Sequence, residues 1–327
     1  MITKTFLVMM ISFILSLILG FILIPIFKNK KIDQRLNRYL EDTHRSKKNT
    51  PTMGGIVFVL STLITTIFLL VFGKIKMSNS LFIIIFTFIS YALIGFIDDY
   101  LIIKRGNNEG LKEYQKLLLQ LFVSVIFFLI FIQDNEPVLW IHTFNIRINI
   151  GFLYGLFILF VLVSSSNAVN LTDGLDGLAT GLSIIAFITF GILSYNTGWL
   201  DGYKDIGIFA FALVGSLLGF LFFNSHPAKI FMGDTGSLSL GATLGTYAIL
   251  TRHELLLVLI GIVFVLETLS CIIQRIYYKF TKKRVFLMTP IHHTFEKMGY
   301  KETDIVRMFW IVGLIASMIS LAFGIWL

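Results

Sequence analysis

Long apolar runs separated by short charged segments govern what this chain can fold into. A helix that crosses a bilayer needs about 20 mostly apolar residues. Ten such stretches occur, approximately over 5–27, 54–73, 80–103, 116–133, 150–167, 177–195, 206–223, 236–250, 254–279 and 305–327. Hydrophobic residues make up 56% of the 327 and charged residues 14%, against roughly 25% charged in soluble domains. No soluble core of this size could hide so much apolar surface, so lipid is the expected solvent. Helices satisfy their backbone polar groups internally, and the expected fold is all-α, a polytopic bundle of about ten transmembrane helices. No repeat, low-complexity tract or soluble domain interrupts it, and residues 1–327 read as one integral-membrane domain. The stretch to Pro25 lacks a small-residue cleavage site and reads as a retained first helix. The single cysteine, Cys271, has no partner for a disulfide and reads as a small buried hydrophobe.

A net charge of +8 could suggest nucleic acid, but the charges sit at the ends of apolar runs, where positive charge sets topology. With their flanking ends, the loops after the first, third, fifth, seventh and ninth stretches hold 21 Lys and Arg. The opposite side, with the N-terminal tail, holds six: Lys4, Lys74, Lys76, Arg147, Lys204 and Arg252. This asymmetry places the odd-numbered loops in the cytoplasm and both termini outside. The unusual polar segments fall on that cytoplasmic side: TPTMGG at 50–55, DDYL at 98–101, NAVNLTDGLDG at 167–177, NSHPAKIFMGDTGS at 224–237 and TPIHHTFEKMGY at 289–300. The outer loops look short and chemically plain. Chemistry gathered at one membrane face suits an interfacial enzyme better than a transporter, whose site belongs near the midplane.

Asp98 and Asp99 follow an apolar run and are expected at or just inside the cytoplasmic end of the third helix. Adjacent carboxylates there need a compensating cation or proton, and magnesium takes hard oxygen ligands and bridges to phosphates. The plainer alternative is a solvated pair ending the helix. Asn170, Asp173 and Asp176 would share a helical face if their segment is helical, or form a turn with Asx caps. Asp234 sits where the eighth helix begins, with Gly233 and Gly236 leaving room for a phosphate; an acidic N-cap explains it equally simply. His292, His293 and Glu296 lie in the loop before the last helix. They read as phosphate or sugar contacts, or as solvated histidines, since the i, i+4 spacing of a helical zinc pair is absent. Lys47, Lys48 and Lys116 complete the basic side, each open to a plain anchoring role at an anionic lipid surface. Magnesium, carboxylates and lysines together suit two anionic phosphates, one in lipid and one in water.

TPTMGG, GFIDDYL, SNAVNLTDGLDGLATG, FMGDTGSLSLG and MTPIHHTFEKMGY, in this order across essentially the whole chain, resemble the bacterial phospho-N-acetylmuramoyl-pentapeptide transferases. Those belong to the polyprenyl-phosphate N-acetylhexosamine-1-phosphate transferase superfamily. The resemblance implies that UDP-N-acetylmuramoyl-pentapeptide and undecaprenyl phosphate give lipid I and UMP, the first membrane step of peptidoglycan synthesis. It implies a magnesium-dependent homodimer in the bacterial plasma membrane, its active site facing the cytoplasm. Asp98 then matches the aspartate that deprotonates the lipid phosphate or acts as nucleophile, with Asp99 beside it, and Asp234 matches the magnesium ligand. Asn170, Asp173, Asp176, Asn224 and Phe231 match positions of the nucleotide-sugar pocket or its support, and Lys116, Gln274, His292 and His293 match residues of substrate binding or turnover. One departure stands out: most members carry three consecutive histidines, and here the third is Thr294. A superfamily member acting on UDP-N-acetylglucosamine is the nearer rival, though PIHHTFE argues against it. A transporter using the intramembrane acid Glu267 is the farther one.

Overall fold

A computed structural model describes residues 2–30, 50–106, 110–141 and 146–325. The described chain is helical apart from one hairpin. Its elements run α1 (Ile2–Asn29), α2 (Gly55–Val71), α3 (Asn79–Arg105), α4 (Glu113–Asp134), β1 (Val138–Ile141), β2 (Ile146–Asn149), α5 (Leu153–Thr172) and α6 (Leu178–Asn196). There follow α7 (Tyr203–Asn224), α8 (Gly233–Leu250), α9 (Glu254–Ile260), α10 (Ile262–Thr281), α11 (Ile291–Lys297) and α12 (Glu302–Ile325). All ten expected stretches are helical, the ninth broken at Gly261. Seven helices, α1, α3 to α7 and α12, are long and apolar enough to cross a bilayer. An eighth crossing results if α9 and α10, bent by 84°, form one broken span. The chain is thus a multi-pass membrane protein, with seven or eight crossings supported by length and composition where ten are expected.

The remaining two helices explain the difference. α2 is apolar but only 17 residues long. α8 carries Gly236, Gly241 and Gly245 among serines and threonines, and every residue from Thr235 to Leu250 is buried. It lies against α3 and α5, with α2, α6 and α9 alongside. A helix enclosed by protein needs no lipid-facing stripe; small residues let its neighbours come close. A Cβ on Gly241 would stand 2.3 Å from the Ser165 carbonyl oxygen. Its hydroxyls find partners inside the bundle: Ser239 Oγ donates to Phe88 O (3.0 Å) and Tyr247 OH to Ile206 O (2.6 Å).

One of the loops expected outside is not plain. Between α4 and α5 the chain forms an antiparallel hairpin with Trp140 opposite Arg147, the guanidinium 4.2 Å from the indole centroid. Arg252 is buried behind it. Its Nη1 donates to Val138 O (2.7 Å) and Tyr154 OH (3.1 Å), and Nη2 to Glu136 O (2.8 Å). Tyr154 OH in turn donates to Glu254 Oε1 at 2.8 Å. A buried guanidinium is tolerated only with such bonds, and here they tie the hairpin to α5 and α9.

Candidate active site

Two short peptides form one wall. Phe231 N donates to Pro51 O, and Gly54 N and Gly55 N donate to Phe231 O and Met232 O, each at 2.8 Å. TPTMGG therefore serves as a backbone partner for FMG. Gly55 lies so close that a Cβ there would stand 2.4 Å from Gly236 Cα. Gly233 turns with φ +72°, and a Cβ on it would stand 2.7 Å from Asp99 Oδ2. The space that these glycines were expected to leave for phosphate is taken by the protein itself.

Gly95 seats α3 on the start of α8, where a Cβ would meet Asp234 O at 2.1 Å. One turn later Asp99 accepts from Asp234 N (3.0 Å), Thr235 N (2.9 Å) and Thr235 Oγ1 (2.6 Å). The first N–H groups of a helix have no internal partner and favour a nearby anion. Asp99 is thus a cap for α8 supplied by α3, a positioning residue. Asp98 faces another way. Its Oδ1 accepts from Leu111 N (2.7 Å), and its Oδ2 lies 3.3 Å from Lys116 Nζ. It sits seven residues before Arg105, about 10 Å inside the end of α3 at 1.5 Å per residue. Its burial is compensated by the lysine and by an N–H, without help from the helix end.

Lys116 joins the two carboxylates, its Nζ also donating to Asp234 Oδ2 at 2.9 Å. Gln115 Oε1 accepts from Lys112 N (3.1 Å) and fixes the first turn of α4 that presents this lysine. Asn170 Nδ2 donates to Asp234 Oδ1 (2.8 Å) and Ser237 Oγ (2.9 Å). One ammonium between two carboxylates leaves one negative charge over. Charge of this kind, held half-buried, is costly without a further cation.

The NLTDGLDG residues separate. α5 ends at Thr172 with Asp173 as its cap, so the shared helical face does not form. Asp176 Oδ2 accepts from Ala228 N (3.0 Å) and lies 3.1 Å from His226 Nδ1, while Asp176 N donates to Glu302 Oε1 (2.7 Å). The ligand atoms of Asp176, His226 and Glu302 lie within 4.8 Å of one another, and together they tie the turn after α5 to the loop after α7 and the start of α12. Asn224 accepts from Thr180 Oγ1 (2.6 Å) and donates to Ile230 O (3.0 Å). Asp176 and Asn224 therefore hold the loop that carries the half-buried Phe231.

His292 and His293 lie on α11, a helix where a loop was expected. His292 is fully buried, Nδ1 3.1 Å from Glu267 Oε1, its N donating to Glu267 Oε2 at 3.4 Å. Gly174 leaves room for its ring, since a Cβ would stand 2.4 Å from His292 Nε2. The histidine so approaches the end of α5 that holds Asp234. His293 Nδ1 pairs with Glu296 Oε2 at 2.6 Å. Thr294 Oγ1 donates to Met288 O (2.5 Å) and accepts from Met288 N (3.3 Å), closing the 288–294 segment. Gln274 Oε1 accepts from Val285 N and Phe286 N, each at 3.0 Å.

Residues 81–252 match glycosyl transferase family 4, and residues 47–59 match the phospho-N-acetylmuramoyl-pentapeptide-transferase signature 1. A Staphylococcus saprophyticus protein named phospho-N-acetylmuramoyl-pentapeptide-transferase is 45% identical over 324 residues, 98% of this chain and 99% of its own length. Relatives of the same name from Staphylococcus epidermidis and Geobacillus sp. are 46% identical over 324 residues and 44% over 322, again covering 98% of this chain and 98% or more of their own. The chain belongs to the phospho-N-acetylmuramoyl-pentapeptide-transferase family. Of the residues expected in the site, those from Asp98 to Asp234 lie inside the glycosyl transferase family 4 match, while Gln274, His292 and His293 lie beyond it. Lys47 and Lys48 fall in the signature of this transferase family but outside the described residues.

Sequence reasoning did not place Glu267, Thr235, Ser237 or the two glycines at 95 and 174 in the site. Glu267 had the clearest signal, an acid inside an apolar run, which needs an inward partner. Its partner His292 lies 25 residues on. For the glycines and hydroxyls, only the packing of α3, α5 and α8 reveals the role.

Proposed function

We propose that the chain transfers phospho-N-acetylmuramoyl-pentapeptide from its UDP-linked donor to undecaprenyl phosphate, giving lipid I and UMP at the cytoplasmic face of the bacterial plasma membrane. Beside the family membership, one observation carries this reading: Lys116 stands between Asp98 and Asp234, 3.3 and 2.9 Å from their carboxylates. Asp98 takes the remaining proton of the lipid phosphate, whose second pKa near 6 makes the transfer easy. A phosphate oxygen then forms a bond to the sugar-linked phosphorus. The bond from that phosphorus to the UMP oxygen breaks, and UMP leaves with the electron pair. Lys116 offers a cation to the incoming phosphates, Asn170 fixes the Asp234 carboxylate, and Asp99 holds α8 in register with α3. His292, with its Nδ1 3.1 Å from Glu267, supports the turn at Gly174 beside the end of α5.

The residues present fit magnesium. Asp98 and Asp234 supply hard carboxylate oxygens with surplus negative charge, and Asn170 keeps its carbonyl oxygen for a ligand because its nitrogen is engaged. When bound there, magnesium would neutralise the pyrophosphate and the departing UMP. The same reading takes α2, α8 and the α9–α10 pair as crossings, ten in all, with both termini outside. The Lys and Arg asymmetry of 21 against six supports it. A homodimer belongs to it as well, and the mass of the detergent-solubilised protein tests that. For the activity, purified chain is mixed with magnesium, undecaprenyl phosphate and each UDP-sugar, and UMP release is measured. Release is expected with the muramoyl-pentapeptide donor; release with UDP-N-acetylglucosamine alone overturns the assignment.

A further inference from the structure

A cavity of about 660 Å³ opens between α5, α10, α11 and the 284–290 segment. That is the size of a small-molecule site, about 300–1,000 Å³. Arg275, Arg284 and Lys297 line it, and no Asp or Glu does. Among the described residues none of the three cations is paired with a carboxylate. Gln274 lines the cavity too, and through Val285 N and Phe286 N it pins the segment next to Arg284. The opposite wall includes Leu171, the chain neighbour of the Asn170 that holds Asp234. Cavity and acidic cluster therefore share the last turn of α5.

We propose that this cavity receives the peptide arm of the donor, with Arg275, Arg284 and Lys297 taking its carboxylates. The proposal rests on the donor assigned under Proposed function. A peptide attached to a muramoyl group has its amino end acylated, so it carries no terminal ammonium and always a terminal carboxylate. Five extended residues span at most about 17 Å, more than the roughly 10 Å of α10 between Cys271 and Tyr278 that lines the cavity. Three cations without carboxylate partners, around a space far larger than one phosphate needs, match such an arm. The other source of anionic charge is the lipid phosphate. It already meets a cation at Lys116, which does not line this cavity.

The test is steady-state kinetics of UMP release by the full chain in nanodiscs, comparing wild type with Arg275→Gln, Arg284→Gln and Lys297→Gln. Two donors are used, the native one and one whose peptide carboxylates are converted to carboxamides. At least one variant is expected to raise KM for the native donor about tenfold, equivalent to about 1.4 kcal/mol, with KM for undecaprenyl phosphate unmoved. Wild type should show a similar rise with the carboxamide donor, and the variant no further rise. Arg284→Lys, which keeps the charge, should restore KM to within about threefold of wild type and controls for misfolding. A rise in KM for undecaprenyl phosphate instead, equal rises for both donors, or no change in any variant overturns the proposal. Wild-type protein that releases no UMP from the muramoyl donor would sink the functional reading itself. Active wild type with a charge-insensitive donor KM would sink only this inference.

Discussion

Asp98 and Asp99 are neighbours in sequence with different work. Consecutive helix residues point about 100° apart, so Asp99 reaches the N–H groups of Asp234 and Thr235 while Asp98 reaches Lys116. Asp99→Asn sets an NH2 group against donors and weakens hydrogen bonds to a charged acceptor, worth about 1.5–3 kcal/mol each. A loss of about 2 kcal/mol in thermal stability in detergent is expected, and an unchanged Tm would contradict the capping role. Glu267→Leu removes the partner of His292 Nδ1 and should lower kcat about tenfold, near 1.4 kcal/mol. Glu267→Gln, which keeps an acceptor, should cost less, and steady-state UMP release separates the two. Asp98, Asp234 and the histidines were legible as polar residues against an apolar background. The difference between Asp98 and Asp99 was not, because the cap it depends on lies 135 residues away.

At the scale of elements, the site depends on how closely α3 meets α8. Gly95→Ala places a methyl group 2.1 Å from Asp234 O, so the helices must part and carry Asp98 away from Asp234. A shift of 1 Å near reacting groups costs about 10²-fold, and a kcat reduction of that order is expected. An active Gly95→Ala enzyme would show the contact to be unimportant. At the hairpin, Arg252→Met leaves the Tyr154 hydroxyl and the carbonyls of Glu136 and Val138 without their donor, and a buried group left unsatisfied costs about 1–3 kcal/mol. Thermal unfolding should register that loss. The helices were legible because a bilayer about 30 Å thick demands long apolar runs. The hairpin escaped notice because four-residue strands are too short for a period-two pattern to stand out. The break at Gly261 was hidden within a continuous apolar stretch.

Across the whole molecule, the chemistry-bearing residues gather where α4, α5, α8 and α11 end or begin and in the last two turns of α3, around a central helix that is buried along its length. Composition alone could not anticipate that α8, rich in glycine and hydroxyl residues, would be the most enclosed of the long helices. The placement of lysines and arginines could indicate a side, because positive charge at helix ends biases orientation during insertion. In a Cys271→Ser background, Lys229→Cys should react with an impermeant maleimide only from the cytoplasmic side and Lys204→Cys only from outside. The reverse pattern would invert the topology. The central claim is that a lysine-bridged pair of carboxylates, Asp98 and Asp234, performs phospho-sugar transfer to a lipid phosphate. Its most direct test measures UMP release and UDP-donor binding side by side in purified wild type and Asp98→Asn. Retained donor binding with turnover lost in the variant is the predicted result; near-normal turnover in Asp98→Asn would contradict it.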